Sequence, residues 1–286
     1  MLTVHDLTSF SRPQDHLPLR RSRLYLWGLR ASIYRTDAVC VPSEAVRAAI
    51  GRHFGDRTLA RVHVVPWGIA DELVPLPRET VIARLRHLDL PDTYILFVGT
   101  IEPRKNVLGL LAAYRELLAR MPDAPPLVLA GRLGWDYEPV LREIERPELR
   151  DRVRRLGYVD ARDLPGIYAG ASIFAYPSLE EGFGFPPLEA MACGVPTIAT
   201  AGSALAENLD GAAELVAVGD VAGLTDALHR LLRDERLRAA RREQGLARAQ
   251  SFRWDESARC YAALYRALAG QSGPRFARAS RTRVSA

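Results

Sequence analysis

Two glutamates with seven residues between them, Glu181 and Glu189, bracket the glycine-rich turn Gly182-Phe183-Gly184. A pair of cations, Arg104 and Lys105, stands in an earlier loop that is also led by glycine, Gly99-Thr100-Ile101-Glu102-Pro103-Arg104-Lys105-Asn106. Glycine lets backbone N–H groups come close to a ligand, and a helix N-terminus placed after such a turn favours an anion. Two adjacent cations before a second helix start add to that field. Together they suit a diphosphate that must depart with its negative charge stabilised by protein groups. Taken separately, the first loop is as well explained by an ordinary strand–turn–helix connection, and the cations by solvated loop residues.

The elements that would position these residues follow from their flanks. Ile173-Phe-Ala-Tyr-Pro177 is an apolar run short enough for a buried strand, and Tyr94–Val98 is another. Pro187 suits the first turn of a helix, Gly194 its end, and Pro196 prevents continuation. Asn106 is placed to cap the helix after the cations. From about residue 78 onward, strands and helices alternate: strands at 94–98, 127–130, 153–159, 173–177, 197–200 and 213–216, helices at 79–88, 107–120, 138–145, 164–170, 187–194, 221–233, 235–250 and 254–268. That alternation predicts a parallel sheet covered by helices, with both informative loops at its carboxyl edge.

Before residue 70 the chain offers strands at 1–4, 38–41 and 61–66, a basic amphipathic helix over 19–36 carrying Leu24, Leu26, Trp27, Ile33 and Tyr34, and a helix capped by Ser43 and running to about Ile50. The segment Pro66-Trp-Gly-Ile69 suits a crossover into a second domain. A buried parallel strand at the start of the chain needs neighbours, so the first domain is expected to be truncated. The predicted division is therefore 1–69, an incomplete first domain; 70–250, a ligand-binding domain; 251–269, a closing helix; and 270–286, a disordered basic tail rich in Arg, Ser and Ala. Contact of that tail with anionic lipid is one use for it.

At 286 residues, 48% of them hydrophobic, the chain can bury a substantial core. Its formal net charge of +5 favours anionic ligands or an acidic surface without demanding either. Cys40, Cys193 and Cys260 are far apart and form no metal or redox pattern, which points to a reducing, cytoplasmic location. No metal-ligand spacing, P-loop, dinucleotide fingerprint or nucleophile elbow is present. Tyr158, Val159 and Leu164 could border a nucleobase or simply pack. His5, ending a strand of the first domain, is either structural or able to reach a ligand across a cleft.

Three stretches carry a resemblance: Gly99–Asn106; Gly157-Tyr158-Val159 with Asp163-Leu164; and Pro177–Pro196. In this order and spacing they resemble the family-four retaining glycosyltransferases, over about residues 1–268, and most closely the bacterial mannosyl- and rhamnosyltransferases of surface polysaccharide synthesis. The resemblance implies an α/β fold of GT-B type, two Rossmann-like domains with parallel sheets, the N-terminal one incomplete here. It implies transfer of a hexosyl group, mannose favoured, from a nucleotide-diphosphate sugar to a glycan or lipid-linked acceptor with retention of configuration. A truncated, non-catalytic nucleotide-binding remnant is the alternative.

By the same resemblance His5, Arg104, Lys105 and Glu181 are the catalytic set. Gly99, Thr100, Tyr158, Val159, Leu164, Gly182, Phe183, Gly184 and Glu189 bind the donor: Glu189 at the ribose, Glu181 at the transferred sugar, Gly182–Gly184 through backbone N–H groups, and Arg104 with Lys105 at the diphosphate. No cofactor and no metal are expected beside the donor, for which GDP-mannose is favoured. No nucleic-acid partner is expected, and peripheral contact with the inner face of a membrane stays open. Thr100 stands where many members have arginine, which shifts the load to Arg104 and Lys105. Ala206 stands where proline often precedes the glutamate aligned with Glu207. Family members usually carry a longer segment before the position of His5, without which the first sheet would expose unpaired edges.

Overall fold

The computed structural model describes residues 1–15, 19–88 and 90–271. Its first sheet has three parallel strands in the order β1-β2-β3: Leu2–Thr3, Val39–Val41 and Val62–Val64. The second has six, all parallel: β4 (Ile95–Val98), β5 (Leu127–Ala130), β6 (Val153–Gly157), β7 (Ile173–Tyr176), β8 (Thr197–Thr200) and β9 (Glu214–Val216). Strands β4, β5, β7 and β8 are buried on both faces, which is why they are nearly continuous apolar runs rather than alternating ones.

In chain order the helices are α1 (Thr8–Ser11), α2 (Leu19–Arg35), α3 (Glu44–Phe54), α4 (Arg78–Leu85), α5 (Val107–Arg120), α6 (Glu138–Ile144), α7 (Leu164–Ala169), α8 (Phe185–Ala192), α9 (Ser203–Asn208), α10 (Val221–Arg233), α11 (Glu235–Ala249) and α12 (Trp254–Gln271). The second core is the larger. Tyr94, Phe97, Tyr114, Tyr168, Phe174 and Tyr176 are fully buried in it beside the aliphatic residues of the strands. Phe97 and Phe174 each contribute about 1.5–3 kcal/mol on leaving water. A smaller core around Val4, Ile33, Ile50 and Phe54 supports the first sheet.

The order β6-β5-β4-β7-β8-β9 places the site. The chain builds outward from β4 through β5 to β6, then returns to add β7 on the other side of β4. In open parallel sheets the carboxyl ends of the strands flanking such a reversal are where ligands commonly bind. The loops leaving β4 and β7 are residues 99–106 and 177–184.

Several local expectations need correction. Asn106 does not cap α5 with its side chain; it adopts a left-handed conformation (φ 53°), and its Nδ2 donates to the Pro177 carbonyl at 3.3 Å. α8 begins at Phe185 rather than Pro187, because Gly184 turns the chain at φ 92° and Pro186 already fits the first turn. Its end is as expected: the N–H groups of Gly194 and Val195 donate to the carbonyls of Met191 and Ala190, at 2.9 and 3.0 Å. α3 runs on to Phe54, and α9 is a short helix the pattern did not announce. On α2, Ile33 is buried while Leu24 and Trp27 face outward, 74% and 69% exposed. Gly270 and Gln271 belong to α12 rather than to a tail. The rest of the expected disordered tail, 272–286, with its lipid contact, lies outside the described residues.

The two sheets are joined through residues 66–69 and the start of α12. Ile69 N–H donates to the Phe252 carbonyl at 3.1 Å, and Ser257 Oγ to the Pro66 carbonyl at 2.5 Å. Trp67 lies on Phe185 with ring planes 7° apart and centroids 5.4 Å apart.

Candidate active site at the meeting of the two sheets

Glu181 is the centre of the site. Its Oε1 accepts from Lys105 Nζ at 2.6 Å, Ser178 Oγ at 2.6 Å and Tyr176 OH at 3.0 Å; its Oε2 lies 3.0 Å from Arg104 Nη1. Arg104 is held on its other side by Glu102, Nη2 to Oε1 at 2.9 Å. All four charged side chains are largely buried, at most 13% exposed, so two carboxylates and two cations form a formally neutral cluster. Burial alone would raise the Glu181 carboxyl; Lys105 and Arg104 outweigh it and hold the group below the usual range. Burial would likewise lower the Arg104 guanidinium, and the Glu181 and Glu102 carboxylates hold it above its ordinary value. Arg104 and Lys105 are therefore not solvated loop residues. Lys105 is the only lysine of a chain with 39 Lys and Arg residues, at a place where a compact ammonium meets two oxygens at once.

The turn after Glu181 is fixed through its carbonyls. Gly182 O accepts from Ser43 Oγ and Phe183 O from Asn208 Nδ2, each at 2.8 Å. Since the peptides are trans, the N–H groups of Phe183 and Gly184 point the opposite way. A Cβ at residue 182 would lie 2.2 Å from the His5 carbonyl oxygen, so this close approach admits only glycine. The Phe183 side chain is buried against Trp67, Phe185 and Phe252.

His5 is exposed just after β1, its ring 5.0 Å from Trp67. It thus belongs to the first sheet yet touches the turn that follows β7. Glu189, on α8, accepts from Tyr168 OH at 2.8 Å, and burial raises its carboxyl above the ordinary range despite that bond. Gly99 and Thr100 leave β4, with Thr100 exposed. Tyr158 follows β6 and is 64% exposed, while Val159 and Leu164 are half-buried. The Arg132 guanidinium lies 4.2 Å from the centroid of the Tyr158 ring. So the structure gathers Arg104, Lys105, Glu181 and the 182–184 turn into one cluster with His5 beside it. Glu189, on α8 against Tyr168, and the 158–164 stretch after β6 lie outside that cluster.

Sequence reasoning missed Glu102, Tyr176, Ser178, Ser203 and Arg132. Tyr176 and Ser178 flank Pro177 and were hidden in an apolar strand end; their hydroxyls were the only signal. Ser203 Oγ accepts the Glu181 N–H at 2.8 Å from a left-handed position (φ 52°), which no pattern marks. Arg132 follows Gly131 as β5 ends, the same place after glycine that Thr100 holds after β4.

Comparison with known proteins agrees with this architecture. The family described as "Glycosyl transferases group 1" matches residues 84–248, and "Glycosyltransferase Family 4" matches residues 1–73. O-antigen chain mannosyltransferase B of Escherichia coli is 34% identical over 254 residues, covering 88% of this chain and 66% of that protein. A D-inositol 3-phosphate glycosyltransferase of Corynebacterium jeikeium is 34% identical over 232 residues, covering 77% and 55%. The chain thus spans two thirds or less of the length of these relatives. Among solved structures, sucrose-phosphate synthase from Thermosynechococcus elongatus superposes with a TM-score of 0.80 at 26% identity, covering 95% of this chain and 68% of that one. Anabaena HepE in complex with UDP and glucose shares the fold, with a TM-score of 0.77 at 20% identity over 92% of this chain and 70% of that one. The sheet order and the family match over 84–248 agree: this α/β chain of GT-B type belongs to the group 1 glycosyl transferases.

Proposed function

We propose that the chain transfers a hexosyl group, mannose favoured, from a nucleotide-diphosphate sugar to a glycan or lipid-linked acceptor with retention of configuration. The observation that carries this reading is the buried cluster of Lys105 and Arg104 on Glu181 where strand order reverses, supported by the similarity to mannosyltransferases. Lys105 and Arg104 would take the diphosphate, and GDP-mannose is the favoured donor. Glu189 would receive the ribose hydroxyls, exchanging its bond from Tyr168 for theirs. Tyr158 with Arg132, and Val159 with Leu164, would border the base. Glu181 and His5 would face the transferred sugar from the two sides.

In the transfer, the bond from the sugar's anomeric carbon to the diphosphate oxygen breaks. The acceptor oxygen forms its bond to that carbon on the same face. The acceptor proton passes to the departing phosphate, whose new charge the two cations stabilise. No metal and no cofactor besides the donor are part of this proposal. Peripheral membrane contact is part of it, with outward-facing Leu24, Tyr25 and Trp27 on the arginine-rich α2 as the surface. No helix among the described residues is long and apolar enough to cross a membrane.

Calorimetry with GDP, UDP and dTDP, followed by turnover of the matching sugar donors with and without chelator, tests the reading. Binding of one nucleotide and chelator-insensitive transfer with an unchanged anomeric configuration, read by NMR, are expected. Failure of the folded protein to bind any of the three would overturn it; binding without turnover would favour a nucleotide-binding remnant.

A further inference from the structure

Helix α9 ties the donor-side turn to the first sheet, and Glu207 is the tie. On one side, Ser203 Oγ accepts the Glu181 N–H at 2.8 Å, Ala204 N–H donates to the Glu181 carbonyl at 3.3 Å, and Asn208 Nδ2 donates to the Phe183 carbonyl at 2.8 Å. On the other, the Glu207 carboxylate reaches the start of α3. Its two oxygens accept the N–H groups of Glu44 at 2.8 Å and Ala45 at 2.9 Å. These are orphan donors at the positive end of a helix, where a carboxylate is well placed. The N-cap residue Ser43 completes the junction: its hydroxyl accepts the Val46 N–H at 3.2 Å and donates to the Gly182 carbonyl at 2.8 Å. Arg248 braces α9 from behind, donating to the carbonyls of Glu207 and Asn208 at 2.8 Å each.

The consequence runs through the first sheet. α3 follows β2, and β2 pairs with β1 in a register that sets Thr3 opposite Cys40. Val4 N–H continues the ladder to the Cys40 carbonyl at 2.9 Å, and His5 comes next. Whatever fixes α3 therefore fixes His5, whose carbonyl already abuts Gly182.

We propose that Glu207 is a positioning residue: by holding the N-terminus of α3 from α9, it sets the first sheet, and so His5, at the distance from Glu181 that transfer requires. This rests on the transfer reaction proposed above. Glu207 touches neither donor nor reacting atoms in this scheme, so it should govern turnover and not donor affinity.

The test compares the full chain with Glu207→Gln and Glu207→Ala, using Asn208→Ala as a control for the donor turn. The readouts are amide exchange in the first turn of α3, the GDP dissociation constant, and kcat against KM for the donor. In the Glu207 variants the Glu44 and Ala45 amides should exchange about tenfold faster or more. kcat should fall about ten- to a hundredfold with GDP affinity within about twofold of the parent, since a small misplacement at the reacting centre is costly. Unchanged α3 exchange or unchanged kcat would overturn the proposal, as would GDP affinity lost in step with kcat. If the parent chain turns over no donor, the transfer reading fails by itself, and the amide exchange alone decides whether Glu207 is the clamp.

Discussion

Lys105 Nζ and Glu181 Oε1 lie 2.6 Å apart although 76 residues separate them, one in the loop leaving β4 and the other in the loop leaving β7. The contact exists because those two strands are neighbours, and it places the chain's single lysine on a carboxylate it shares with Arg104. A donor diphosphate arriving there would have to compete with Glu181 for both cations.

Lys105→Ala should be costly to stability as well as to transfer. It leaves Glu181 buried with one cation fewer, a change that costs about 3–5 kcal/mol when a buried pair is broken. Urea unfolding should show that loss, and transfer should be abolished. Lys105→Arg keeps the charge but puts a second planar guanidinium beside Arg104, so it too should lose most turnover. Full activity in Lys105→Arg would contradict the reading.

Glu181 should write an acid limb into the stability curve. Its carboxyl is held below the ordinary 4.5 by its two cations, so the native state binds that proton less readily than the unfolded chain. The contribution is complete above about pH 4.5 and is lost as pH falls through the lowered native value. Melting temperatures between pH 3 and 7 should show a shallower acid limb in Glu181→Gln than in the parent.

Glu189 has the opposite sign. Burial raises its carboxyl, so the protonated form is favoured in the fold and stability is lost as pH rises through that raised value. Glu189→Gln, which can still accept from Tyr168, should melt higher than the parent near pH 7.5. It should also bind nucleotide about ten- to a hundredfold more weakly, the worth of about 1.5–3 kcal/mol in a hydrogen bond to a charged group. A variant that is stabler and binds as well as the parent would remove Glu189 from the donor site.

Arg132 and Tyr158 form an exposed pair, so losing either should scarcely move the melting temperature. If they border the base, Arg132→Ala should weaken nucleotide binding about two- to fivefold, the scale of an exposed cation–π contact. Calorimetry of the variant would detect it.

Gly182→Ala puts a methyl group against the His5 carbonyl, a backbone atom that cannot swing aside. The expected cost is about 1–3 kcal/mol of overpacking, with turnover falling further than nucleotide affinity. Circular dichroism melts and initial rates would separate the two effects.

The second sheet was largely legible because β4, β5, β7 and β8 are buried on both faces and the loops after β4 and β5 begin with glycine; Ile173–Tyr176 and Leu127–Ala130 could hardly be anything else. The residues that complete the site were not, for physical reasons. Tyr176 looks like another core aromatic until its hydroxyl is seen between Lys105 and Glu181. Asn106 suits a helix cap, but Pro177 on the neighbouring loop offers its side chain a carbonyl instead. α9 is six residues long, too short for a periodic signal, and Glu207 acts on a helix that lies 162 residues earlier. Partners that meet only through strand order leave no trace in local spacing.

The pairing of β4 with β7 also dictates when the site can come into being. Ile95 meets Ile173 across a loop of chain that includes β5 and β6, so this contact is among the entropically slower ones to form. The hairpin-free, parallel order gives the molecule no local shortcut to it. Lys105 and Glu181 therefore meet only once β4 and β7 have paired. In a refolding experiment, recovery of nucleotide binding should trail recovery of helical signal, so ligand binding would time the closure of the sheet.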